Sequence, residues 1–531
     1  MLKNLLNKDI KEVNFDKLKT FGFYVLLFLL SASIAVKSVN YDFDLWARLI
    51  AGMAVVQTGQ ILKYDFLSYT PTHAWYDHEW GSSVVFYLFK DLFGHGGLLF
   101  LQVLLTFLTI LFLVKTVKLR FEKSCNCENV LFYFLVLNSF AVTYSSLIRC
   151  HSFTFLFFAI ELYLLELIRK NNNYKLFFIF PFMFLIWGNM HGGVVSGLGL
   201  LAMYTLGEAL NKKPFKHYLI ATIICPLMLF INPYGVDFIK FLIRATTMPR
   251  PDVVEWWPIF TKYNAHLFLI FKFMALIYLI VEFLKVKKDF SYSNLDKTKF
   301  IVMTVTLIFA VMRVKMMPFF ALTGTAFCYK DVMDSMKKFN FPKWCMPTLI
   351  VFLSFYSILA LAIKDYRPMV NYASYPVMEI EFIKLNHLEG KLLTNFGIGS
   401  FAAYKLYPQN KIYMDGRYEE VYDDYLLKDL GNFYAVKQDA FALMRKNKPD
   451  VIIMEKSYPK IYSILKQSPE WHLAFDGINF GVFIDSKNAK SEYIPPSGDL
   501  KYYKRTILNT SITFNGPKRI KIEDINKRSD K

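Results

Sequence analysis

About eleven stretches of this chain are apolar over nearly the length a helix needs to cross a bilayer, roughly 17–25 residues. They cover 20–37, 96–114, 129–147, 152–168, 174–188, 192–210, 217–232, 265–284, 299–312, 316–333 and 345–363. A helix that is apolar all round must be enclosed on every side or face lipid, and one soluble core cannot enclose so many. Composition agrees: 54% of residues are hydrophobic, 20% are charged, and 53 are Phe. A chain of 531 residues built this way is neither disordered nor an ordinary soluble enzyme. The expected class is an α-helical polytopic membrane protein.

The formal net charge of +19 then has an ordinary source. With a cytoplasmic N-terminus, loops 1–19, 115–128, 169–173, 211–216, 285–298 and 334–344 face inward, and they hold most of the Lys and Arg between spans. That is the asymmetry the positive-inside rule requires. The stretch 81–94 is also apolar, but Lys90 and Asp91 interrupt it. Counting it as a span would put basic loops on both sides, so it reads as an interfacial amphipathic helix. The basic charge is an insertion signal, and no nucleic acid is needed to explain it. The first apolar stretch reads as a span rather than a cleaved leader, because a long polar segment precedes it. Six Cys are too few for a disulfide framework, and Cys125 and Cys127 read as reduced thiols in an inner loop. The expected address is the inner (plasma) membrane.

The pattern changes near Lys364. Short β-type runs at 391–395, 411–416, 451–455, 472–477 and 480–485 alternate with helical patterns at 399–407, 419–446 and 459–467. Such alternation argues a small α/β domain, and the parity of spans puts it outside the cytoplasm. The expected organisation is a membrane domain over 1–363 with a large first outer loop, 38–95. An extracytoplasmic α/β domain follows over 364–486, then a polar basic tail over 487–531, expected to be loosely held.

Polar residues at the outer ends of the spans carry the chemistry. They are Asp42 and Asp44, then His73, Asp77, His78 and Glu79, Arg149 and His151, Asn189 and His191, Asn232, Glu255, and Arg313 with Lys315. Ionisable groups at bilayer depth are costly and usually face an interior cavity. One cavity near the outer leaflet is the simplest common destination. Each residue also has a plainer reading. Asp44 and Arg48 are spaced as a helix-surface ion pair, His78–Glu79 as a polar loop anchored by Trp75 and Trp80, Asn189 and His191 as helix caps, and Arg313 and Lys315 as snorkelling cations.

The segments DFDLW, DFLSYT (65–70), HEW (78–80), NMHGG (189–193), NPYG (232–235), EWWP (255–258), RVKMMPFFA (313–321) and MDGRY (414–418) occur in this order. In that layout the chain resembles the GT-C fold of polyprenyl-phosphate-sugar-dependent glycosyltransferases, the superfamily of protein O-mannosyltransferases and the lipid A aminoarabinose transferase. It is most similar to poorly characterised bacterial membrane proteins placed with that fold. The resemblance implies an inverting transfer of sugar from a polyprenyl phosphate to an acceptor hydroxyl of a glycan, lipid or protein. It implies Asp44 as general base, with Asp42 as second choice or metal ligand. Arg149, Arg313, Lys315 and His191 would bind the donor phosphate. His78 and Glu79 would hold a divalent metal (Mg or Mn), and Asn189, Asn232, Glu255 and His151 would line the cavity. Two other classes compete: a transporter or flippase for a lipid-linked sugar, and a non-catalytic membrane scaffold. No internal repeat of the kind transporters often show is visible. Asp415, Gly416, Arg417, Tyr418, Tyr422 and Tyr425 read either as a sugar-stacking surface or, at helix spacing, as packing.

Overall fold

Every apolar stretch within the described residues forms a helix. The computed structural model describes residues 2–36, 41–121, 148–250, 253–288, 295–337, 342, 344–364, 366, 370, 373–437, 439–496 and 516–526. The span expected at 129–147, and Cys125 and Cys127, lie outside them. The membrane part contains helices Leu2–Ala35, Trp80–Arg120, His151–Asn171, Ile179–Met190, Val194–Leu210, Lys216–Met228, Leu269–Lys288, Lys297–Met312, Met317–Lys337 and Cys345–Ala362. By length and composition, Trp80–Arg120 and His151–Asn171 are long and apolar enough to cross a membrane. The pair Lys216–Ile231 and Val236–Thr247, bent by 111°, would make a third if it counts as one span. The other stretches form helices where expected, but several are shorter, because Gly, Pro and polar residues at NMHGG and NPYG end them early. Their outward faces remain apolar: Phe273 and Phe283 on one helix and Val351 and Phe355 on another are largely exposed. Faces of this kind are stable against lipid and not against water. The chain is a membrane protein.

Helix Trp80–Arg120 is two arms rather than one rod. At Gly94 the backbone has φ 61° and ψ −147°, a conformation that side-chain-bearing residues avoid. The amphipathic segment at 81–94 and the apolar segment at 96–114 meet at this joint.

Helix Phe43–Thr58 follows the acidic pair and stops at Gly59, whose left-handed φ of 68° forms the C-cap. Residues Leu45–Ala54 are buried on all sides, because the helix lies between the bundle and the C-terminal domain. Trp46 packs on Phe401 and Tyr404, with ring centroids 5.0 and 5.3 Å apart, and its indole N–H donates to Tyr375 Oη at 3.4 Å.

The C-terminal domain holds strands β1 Gly390–Leu393, β2 Asn410–Ile412, β3 Val451–Glu455, β4 Trp471–Asp476 and β5 Phe480–Asp485 in the order β2-β1-β3-β5-β4. The first three are parallel, joined through helical crossovers, and β4–β5 is an antiparallel hairpin that turns at Gly477, Ile478 and Asn479. The β2 edge is covered by the segment that follows helix Phe43–Thr58. Ser68 bridges Ile412 in parallel, Ile412 N–H donates to Leu67 O (2.9 Å), and Tyr69 N–H donates to Ile412 O (3.0 Å). Covering an edge removes a site for unwanted pairing and fixes the loop to the domain. The tail corrects the sequence expectation in part. Residues 516–526 pack back, burying Ile520 and Ile525, with Ile520 N–H donating to Gln57 Oε1 at 2.9 Å.

At the opposite ends of the helices, charges pair rather than scatter. Arg169 reaches Glu208 (2.7 Å) and Asp296 (2.9 Å), Lys299 reaches Glu282 (2.5 Å) and Asp331 (3.1 Å), and Arg120 pairs with Glu166. Every cation in this network has an acid, which suits a structural clamp between helices.

Candidate functional site

Asp42 and Asp44 flank the first residue of helix Phe43–Thr58, and both turn toward Arg149. The Arg149 Nη2 donates to Asp42 Oδ1 at 2.8 Å and its Nε to the other oxygen of the same carboxylate, a fork-on-fork pair. Nη2 is also 3.6 Å from Asp44 Oδ2, and Nη1 donates to Glu255 Oε2 at 3.0 Å. Three carboxylates, two from the start of this helix and one from a distant segment, thus share one guanidinium. Arg149, expected to bind a donor phosphate, is instead committed to acids.

Asp42 is nearly buried at 9%, whereas the Asp44 side chain is 53% exposed. Poor solvation there raises the Asp44 carboxyl to about 7; Arg149 opposes the rise, and Asp42, Glu79 and Glu255 add to it. The backbone of Gly416 lies against this carboxylate: a Cβ there would sit 2.9 Å from Asp44 Oδ1. Gly416→Ala is therefore expected to displace the Asp44 carboxylate and lower activity by tenfold or more. The fold should survive, because the atom that must move is the end of a half-exposed side chain; a turnover assay beside a melting curve checks both.

A second charged cluster lies one helical turn along. Arg48 does not pair with Asp44, as the i, i+4 spacing suggests. It contacts Asp77 Oδ1 (2.5 Å), Glu420 Oε1 (2.8 Å) and Glu79 Oε2 (3.3 Å). His78 Nδ1 is 3.3 Å from Glu420 Oε1 and Nε2 is 3.7 Å from Glu79 Oε1. His78, Glu79 and Glu420 offer ligand atoms all within 4.8 Å of one another, a spacing that suits a cation. The charge balance suits one less well, since Arg48 already contacts both of these carboxylates.

His191 differs from its expected role. Its Nδ1 accepts the Gly193 N–H at 3.0 Å and lies 2.8 Å from Thr154 Oγ1, so the ring proton sits on Nε2, which faces Glu79 Oε1 at 3.2 Å. Burial lowers the imidazole to about 3 against the pull of Glu79, with His78, His151 and Lys315 adding to the fall. It is a neutral donor to Glu79 and not a phosphate-binding cation. Asn189 and Asn232 also leave the cavity list. Asn189 Oδ1 accepts from Trp80 Nε1 (2.9 Å) and from Asn232 Nδ2 (3.1 Å), and Asn232 Oδ1 accepts the Tyr234 N–H (3.0 Å). They tie helix ends together. His151 packs against Phe155.

Arg313 and Lys315 stand beyond Glu255, over the neighbouring indole. The Arg313 guanidinium lies 4.7 Å and the Lys315 ammonium 3.4 Å from the Trp256 ring centroid. Arg250, missed from the sequence, joins them at 4.1 Å. Arg250 is held by Glu419, by Tyr418 Oη at 2.9 Å and by the Ala245 carbonyl at 2.7 Å. Among the described residues neither Arg313 nor Lys315 has a carboxylate within 4 Å. Burial lowers the Lys315 ammonium to about 8, with Glu255 opposing and Arg250 adding to the fall.

The MDGRY segment is a strut. Arg417 is fully buried and pairs with Asp65 (2.6 Å) and Asp415 (2.9 Å), both also fully buried. Tyr422 is buried on Ser68 and Arg417, and Tyr418 packs on Phe396. Tyr418 and Tyr422 thus pack, whereas Tyr425 is exposed.

No family model matches this sequence, and no curated protein matches it. Among solved structures, the chain is similar to the archaeal oligosaccharyltransferase AglB from Archaeoglobus fulgidus, determined in complex with an inhibitory peptide and a dolichol-phosphate. The match has a TM-score of 0.55 at 11% identity and covers 92% of this chain and 77% of that one. What the two share is the fold.

Proposed function

We propose that the chain is a membrane glycosyltransferase. It moves a sugar from a polyprenyl-phosphate-linked donor to an acceptor hydroxyl at the outer face of the inner (plasma) membrane. The N-terminus is then cytoplasmic, the spans number about eleven as expected from their length, and the α/β domain is extracytoplasmic. One observation carries the reading. An accessible carboxylate, Asp44, shares Arg149 with Glu255, and over the adjacent Trp256 ring lie Arg313 and Lys315, two cations with no carboxylate within 4 Å among the described residues. The likeness to a transferase solved with a dolichol-phosphate supports a lipid-phosphate donor.

The donor phosphate seats against Arg313 and Lys315 over the Trp256 face. Asp44 accepts the proton of the acceptor hydroxyl as its oxygen attacks the anomeric carbon. The bond to phosphate breaks on the opposite side, and the two cations stabilise the charge that develops there. A single displacement of this kind inverts the anomeric centre. Arg149, gripped by Asp42 and Glu255, fixes the position of Asp44. No step is routed through a metal. A cation bound at His78, Glu79 and Glu420 would supply positive charge beside the acids.

The pH profile follows from two groups. Asp44 must be deprotonated to act, so activity falls below about 7, where it titrates. Lys315 must be protonated, so activity falls again above about 8. A bell-shaped kcat/KM profile with limbs near these values is expected; a flat profile contradicts the assignment. The direct test offers purified protein in detergent a panel of radiolabelled polyprenyl-phosphate sugars. Covalent transfer of label supports the reading. Label that crosses a vesicle membrane without covalent transfer would favour the flippase, and no consumption of any donor would favour the scaffold.

A further inference from the structure

Three carboxylates from two segments that converge on one point are the usual makings of a divalent-cation site. Here the point of convergence is filled by protein. The guanidinium of Arg149 takes Asp42 through two nitrogens, Glu255 at 3.0 Å and Asp44 at 3.6 Å. Arg149 is only 23% exposed, and a cation could not approach Asp42 without displacing it. We propose that Arg149 is a built-in replacement for a divalent metal: it gathers the three carboxylates, and the Asp42–Asp44–Glu255 centre neither binds nor needs a metal ion.

The proposal rests on the transferase reading only in naming Asp44 as the reacting carboxylate; the claim about the cation is independent of it. An arginine supplies one fixed positive charge to three acids, so the centre stays anionic. Phosphate is left to the separate cations at Trp256, and Arg149 acts through Asp44 as a positioning residue. A guanidinium is permanently charged and matches a carboxylate edge geometrically. It therefore holds Asp42 and Asp44 in place whatever the metal supply.

The test counts Mn²⁺ bound to metal-stripped, detergent-purified full-length protein by electron paramagnetic resonance, and so needs no turnover. All proteins carry His78→Ala, which removes the other acidic cluster from the count. The wild-type centre should bind no Mn²⁺, and adding Asp42→Asn should change nothing. Arg149→Ala should gain one Mn²⁺ per chain, and Asp42→Asn should abolish that gain. Arg149→Lys, which keeps the charge, should gain none; a merely structural arginine would show no such difference between the two replacements. Mn²⁺ bound with Arg149 intact and lost on Asp42→Asn would overturn the proposal. So would an Arg149→Ala protein that melts like its parent yet gains no ion. If Arg149→Ala does not fold, the comparison with Asp42→Asn alone still decides. A separate arm assays the transfer that the His78→Ala protein retains: activity unchanged in chelator supports the proposal, and activity lost in chelator and restored by Mn²⁺ contradicts it.

Discussion

Replacing Asp44 with Asn is expected to lower sugar transfer by at least about a hundredfold, the lower range for losing a general base, while leaving the protein folded. Asn keeps the shape and removes the proton acceptor. The fold should tolerate it because the Asp44 side chain is half exposed and its ion pair to Arg149 is long at 3.6 Å. Asp42 makes an instructive contrast. It is nearly buried and doubly bonded to Arg149, so Asp42→Asn should cost stability as well as activity. Turnover and melting temperature, measured together on both variants, separate the roles. Unchanged transfer by the Asp44 variant would remove that residue from the mechanism.

The second large effect is expected at Arg417. Its guanidinium is fully buried between Asp65 and Asp415, donates to Tyr422 Oη at 3.2 Å and lies 4.6 Å from the Trp75 ring centroid. Removing one partner of a buried ion pair typically costs about 3–5 kcal/mol, because the remaining charge stays buried without compensation. Arg417→Met leaves two such carboxylates, one in the segment between helices Phe43–Thr58 and Trp80–Arg120 and one in the C-terminal domain. The expected result is a large drop in melting temperature, with the loop segment 59–79 becoming protease-sensitive in folded protein. The same pairing carries Glu420 to Arg48 and to the Trp75 indole, at 2.8 and 2.7 Å, so the damage should reach the site. A melting curve like that of the parent would show that the loop and domain hold together without this strut.

Apolar runs made the helices legible, because length and hydropathy are local properties. The strands of the C-terminal sheet were legible for the same reason. Two helices were not. Val236–Thr247 follows NPYG as an amphipathic piece too short to attract notice, and Val377–Leu385 lies in the C-terminal region ahead of its first expected strand. In the site, the acidic pair was legible from its place at the start of a helix after the first span. Its partners were not, since spacing reports only neighbours. Arg48 looks like a mate for Asp44 four residues away, yet one of its acids is Glu420, 372 positions on. Glu420 lies two residues past the MDGRY motif, so the motif pointed to the right segment and stopped short. Arg250 could have been found as a third cation near EWWP. Burial decided the remaining roles: His191 and Arg149 look like phosphate ligands until their partners are seen.

The central claim is that Asp44 and the Arg313–Lys315 pair face one bound donor across Glu255 and Trp256. A structure of the protein with a polyprenyl-phosphate sugar tests it most directly. The phosphate should lie within hydrogen-bond reach of Arg313 and Lys315, with the anomeric carbon turned toward the Asp44 carboxylate. A phosphate bound elsewhere, with the sugar facing away from Asp44, would contradict it.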